Sequence, residues 1–128
     1  MELVKAHLIA SILWTDEDYR PKGGLHIKDR RLPVNDDMVE INLLGKLKPI
    51  GENVYALINI NIYHQYPYRT SELSKVVKKV LTGAVINGFQ FGLEREWYNG
   101  NSKRKFHNVL FCGTISQSDF QVLVDSYF

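Results

Sequence analysis

Hydrophobic residues recur with a period of two along most of this chain. Val54, Ala56, Ile58, Ile60 and Ile62 fall on one side of a segment whose other side carries Tyr55, Leu57, Asn59, Asn61 and Tyr63. Successive side chains of a strand point to opposite faces, so this alternation predicts a half-buried strand. Weaker alternation marks further strands in residues 4–14, 39–43, 89–94 and 108–115, with Leu25, His26 and Ile27 as a short addition. Phe120, Val122 and Val124 continue the period of two and predict a closing strand. Between these segments stand turn formers: Gly23-Gly24, Pro33 with Asn35 and Asp36, Pro49 with Gly51, Asn87-Gly88 and Asn99-Gly100.

One segment changes period. Leu73, Val76, Val77, Val80 and Leu81 recur at helical spacing, which predicts a helix over about residues 71–82. Thr70 or Ser71 is the expected cap, Glu72 suits the positive end of the helix dipole, and Gly83 suits the residue just past its end. A helix this short needs a sheet to dock on. The expected fold is α+β: a mostly antiparallel sheet or small barrel of six to seven strands with one inserted helix. Residues 1–128 form a single domain, since 128 residues suit one core.

Charge and chemistry narrow this picture modestly. Sixteen Lys and Arg against 14 Asp and Glu leave +2, too balanced for a protein that coats nucleic acid by charge alone. Positive charge is concentrated in Arg20, Lys22, Lys28, Arg30 and Arg31 and again in Lys103, Arg104 and Lys105; Asp16, Glu17, Asp18, Asp36 and Asp37 concentrate the negative. Cys112 is the sole cysteine, which excludes an internal disulfide and fits a reducing compartment; a strand interior makes it an inert core thiol. No secretory leader or apolar run of membrane-spanning length is evident, so the cytoplasm is the expected location. His7, His26, His64 and His107 lack the spacing of a zinc site, and no nucleophile elbow or phosphate-binding loop occurs. No catalytic residue, metal site or cofactor is therefore assigned.

Two polar segments carry the binding expectation. Residues 63–69 hold Tyr63, His64, Tyr66, Tyr68 and Arg69 between the best strand and the helix. Tyrosine and arginine dominate interface energetics because they combine large contact area with a polar tip. Residues 94–105 contain Trp97, a hairpin turn expected at Asn99-Gly100, and Lys103 and Arg104 beyond it. Glu94 and Glu96 would there pair with Lys103, Arg104 and Lys105 across the strands.

The order of some segments resembles the C-terminal β-barrel domain of elongation factor Tu and its small stand-alone relatives. The resemblance is carried by residues 4–13, Gly23-Gly24, Gly51-Glu52-Asn53-Val54, Phe89-Gln90-Phe91-Gly92-Leu93 and Cys112-Gly113-Thr114-Ile115. The helix, the long hairpin and the last strand depart from that pattern. The resemblance implies a small barrel and assigns no site residue. The first functional expectation is a non-enzymatic, cytoplasmic protein-binding domain of the bacterial immunity or antitoxin type, whose partner is a secreted toxin domain. The alternatives are an RNA- or ribonucleoprotein-associated module, which would stack bases on the same tyrosines, and a small-ligand or enzymatic barrel.

Overall fold

The computed structural model describes residue 17 and residues 20–28, 37–64, 66–100 and 105–127. The strand expected in residues 4–14 and the turn at Pro33, Asn35 and Asp36 lie outside them, as do His7, Asp16, Asp18, Arg30, Arg31, Lys103 and Arg104. The described strands are β1 (Leu25–Ile27), β2 (Met38–Leu43), β3 (Lys48–Ile50), β4 (Asn53–Tyr63), β5 (Val85–Ile86), β6 (Phe89–Gly100) and β7 (Lys105–Ser116). Two helices among the described residues accompany them, α1 (Pro67–Leu81) and α2 (Gln117–Tyr127). The strands form one curled, half-barrel sheet in the order β1-β2-β4-β7-β6-β5, with β3 also paired to β4. All pairings are antiparallel except β1 with β2.

The alternation in β4 places its aliphatic side as expected. Val54, Ala56, Ile58, Ile60 and Ile62 are buried in a core shared with Val39, Ile41, Val109, Phe111 and Ile115. Leu73, Val77 and Leu81 of α1 close this face, with Val76 and Val80 at its margin. The opposite side of β4 departs from the half-buried expectation: Asn59, Asn61 and Tyr63 are buried too. Their polar groups are partly satisfied by a short relay. Asn59 Nδ2 donates to Asn61 Oδ1 at 2.9 Å, and Asn61 Nδ2 donates to Glu40 Oε1 at 3.0 Å. Register explains the relay, since Glu40 faces Asn61 across the β2–β4 ladder.

Four local expectations are corrected. The helix starts at Pro67, four residues before 71, and neither Thr70 nor Ser71 caps it; Tyr66 is the capping position and makes no side-chain cap bond. Proline explains the early start, because its fixed φ suits a first helical turn. The closing segment is α2 rather than a strand. Ser116 Oγ accepts the Asp119 N–H at 3.1 Å, as an N-cap does, while Phe120 and Leu123 pack on the core and Val122 points to solvent. Asn99 and Gly100 are ladder residues and not the expected turn, since Asn99 pairs with Phe106 and Gly100 with Lys105. That longer ladder sets Glu96 opposite Val109 rather than opposite the basic residues. The Asn87-Gly88 turn is as expected: both residues have positive φ, 52° and 85°, and join Ile86 to Phe89 in a two-residue hairpin.

Gly113 shows how closely β6 and β7 approach. A Cβ there would lie 2.7 Å from Cε1 of Phe91, its partner across the ladder. Gly113→Ala should therefore cost about 1–3 kcal/mol, the usual range for overpacking a filled core. Chemical denaturation checks this; an unchanged midpoint would show that the Phe91 ring moves aside freely.

Candidate functional site

The polar-aromatic segment lies where β4 hands over to α1. β4 ends at Tyr63, and Pro67 opens the helix three residues after His64. The Tyr66 N–H donates to His64 Nδ1 at 3.0 Å, which closes the intervening turn. The His64 and Tyr66 rings lie 5.6 Å apart, and the Tyr66 and Tyr68 rings 5.9 Å apart in a stacked arrangement. Tyr66 is 50% exposed and Tyr68 63%. Arg69 follows and pairs with Glu72 one turn along the helix. The result is a short aromatic ladder flanked by an ion pair, open to solvent at its tyrosine end.

His64 anchors the inner end. Burial holds its imidazole below the ordinary value of 6.5, against the pull of Asp37, whose Oδ2 is 4.0 Å from Nε2; Arg69 and Lys22 add to the lowering. A neutral ring leaves Nδ1 free to accept the Tyr66 N–H. Its contribution to stability is fully present above pH 6.5. It declines as pH falls from 6.5 towards the lowered native value, because the unfolded chain takes up the proton first. A titration of the histidine ring protons by NMR should place His64 below 6.5; a midpoint at or above 6.5 would show that Asp37 outweighs burial.

The expected binding residues do not form one group. His64, Tyr66, Tyr68 and Arg69 are brought together. Tyr63 is only 7% exposed and packs on Phe106 with ring centroids 5.1 Å apart, so it is not a surface anchor. Strand alternation turns it to the face away from α1. Trp97 lies on that same face two strands from β4, half-buried, with the Arg95 guanidinium 4.7 Å from its ring centroid. Lys103 and Arg104 are outside the described residues.

Other features escaped sequence reasoning because they depend on register. Glu96 joins Lys78 Nζ at 2.8 Å and His107 Nε2 at 3.0 Å, tying α1 to the β6–β7 hairpin. The Lys78 hydrogen bond is the main reason its carboxyl lies below the ordinary 4.5. This cluster brings a histidine to a carboxylate, but lysine already holds that carboxylate. An open depression of about 390 Å³ lies on the sheet face away from the helices, lined by Leu44, Lys46, Lys48, Tyr55, Leu57 and Cys112, among others. Cys112 is half-buried rather than fully enclosed, and burial pushes its thiol above the ordinary 9.0. Glu94 pushes it the same way, against a hydrogen bond with Thr114, so the thiol is not activated. Among the described residues no group of three or more His, Cys, Asp or Glu side chains could hold a metal ion. Nor is any described helix long and apolar enough to cross a membrane.

No family model matches the chain, and no curated protein matches it. Among solved structures, the chain is similar to one from the virion of a native gene transfer agent (GTA) particle. The two share 12% identity and a TM-score of 0.63 over 90% of this chain and 92% of the other. At that identity the likeness shows a shared fold.

Proposed function

We propose that this chain is a non-enzymatic protein-binding subunit that assembles into a particle of the virion type, using the His64, Tyr66, Tyr68 and Arg69 patch as its contact surface. The exposed tyrosine ladder carries the reading. Two large rings held by stacking and by a short, proline-started helix lose little freedom on binding, which is what an interface anchor requires. The choice of partner is supported by the fold shared along nearly the whole chain with a component of a virion. An immunity role would use the same patch against a toxin, but no feature of the structure favours a toxin over an assembly partner. Assembly in the cytoplasm suits a chain with a single thiol.

Density-gradient fractionation of particles, from cells carrying the gene at its own locus, tests the proposal. The chain should migrate with the particle fraction. Recovery only among free proteins, or only with RNA in a complex that salt dissolves steeply, would overturn it.

A further inference from the structure

The two edges of β6 are covered to different extents. On its inner side β6 pairs with β7 from Gln90 to Gly100. On its outer side β5 covers only Phe89 and Gln90, and Gly83 and Ala84 bond the Phe91 backbone. From residue 93 onward no described strand covers that edge. Leu93 and Tyr98 are 42% and 46% exposed there, and Glu94, Arg95 and Glu96 are exposed as well. An edge without a partner strand is a template for another strand, and proteins usually blunt one with charged side chains, lysine above all, with proline or with a bulge. β3 carries such protection in Lys48 and Pro49. β6 contains neither lysine nor proline; its charges, Glu94, Arg95 and Glu96, are of both signs, so they oppose only those pairings that set like against like. Its bulge, between Leu93 and Arg95, leaves residues 95–100 as a regular stretch.

The charges of this stretch select the occupant. Two copies of one strand, paired antiparallel about a two-fold axis, set each residue opposite a residue of the same face. Centring the pair on Arg95 would oppose two arginines, and centring it on Glu96 would oppose two carboxylates. Centring it on Trp97 opposes no like charges. Arg95 then falls opposite position 99, Glu96 opposite the Tyr98 phenol, and the two indoles meet as an aromatic pair, the more favourable cross-strand type. Each indole already carries an arginine over its ring. A centre at Tyr98 also avoids like charges, but shifts the pairing to the hairpin end and separates the indoles.

We propose that residues 95–99 of β6 pair antiparallel with the same residues of a second copy of this chain, centred on Trp97. The sheet then continues across a two-fold axis. Five paired residues from each copy make a small contact, so the dimer is concentration-dependent. This surface lies apart from the tyrosine patch, and neither reading depends on the other.

Light scattering after size exclusion, from about 1 µM to about 500 µM, should show monomer shifting to dimer by mass action. Trp97→Lys should leave monomer throughout by opposing two ammonium groups, whereas Trp97→Phe should retain the dimer. Circular dichroism of both variants separates lost pairing from lost folding. In a Cys112→Ser background, Trp97→Cys should form an intermolecular disulfide on mild oxidation, because opposed residues bring their Cβ atoms within about 5 Å. Arg95→Cys should not. A monomer at every concentration, a dimer unaffected by Trp97→Lys, or cross-linking through Tyr98→Cys in place of Trp97→Cys would overturn the proposal.

Discussion

Phe111→Ala is expected to destabilise the protein by about 3–5 kcal/mol, the range for removing a buried aromatic ring. Phe111 is fully buried on β7, opposite Ile58 of β4 and Leu93 of β6. It belongs to the core that Leu73, Val77 and Leu81 of α1 close. Removing the ring forfeits its transfer out of water and leaves a cavity under a helix that depends on docking. Domains of this size are stable by only about 5–15 kcal/mol, so the loss is a large fraction of the whole. Val122→Ala, on the outer face of α2, should change stability by less than about 0.5 kcal/mol. Urea denaturation of the two variants makes the comparison; equal midpoints would contradict the placement of the core.

The second large effect concerns binding. Tyr66→Ala and Tyr68→Ala should each weaken association with the particle by about 30-fold, about 2 kcal/mol, the size of an interface anchor. Both rings are at least half exposed, so stability should change little. Val85→Ala provides the matched control, since Val85 is 65% exposed in the β5–β6 hairpin, away from the patch. Competitive loading of particles with wild-type and variant chains reads these ratios. Tyrosine variants that load like the Val85 variant would remove the patch from the contact.

Most of the sheet was legible in the sequence because period-two burial is a local signal. It identified β2, β4, β6 and β7, and it identified the apolar stripe of α1. It failed for α2, where Phe120, Val122 and Val124 alternate by coincidence while Phe120 and Leu123 make the core contact. Ser116, with Asp119 three residues on, was the overlooked signal of a helix start. The exposed part of the candidate site was legible for a different reason: tyrosine, histidine and arginine are dense in residues 63–69. Sorting Tyr63 from Tyr66 and Tyr68 required knowing where the strand ends, since a buried and an exposed tyrosine look alike in sequence. Pro67 carried that information. The Glu40, Asn59 and Asn61 relay and the Lys78, Glu96 and His107 cluster were invisible because each joins residues brought together only by strand register or helix docking.

The most direct measurement is photo-cross-linking from position 68 within assembled particles. A photoreactive side chain at Tyr68 should cross-link to another protein chain of the particle, while the same group at Val85 should not. Equal yields from both positions, no protein adduct from position 68, or cross-linking to nucleic acid alone would contradict a protein contact at the tyrosine ladder.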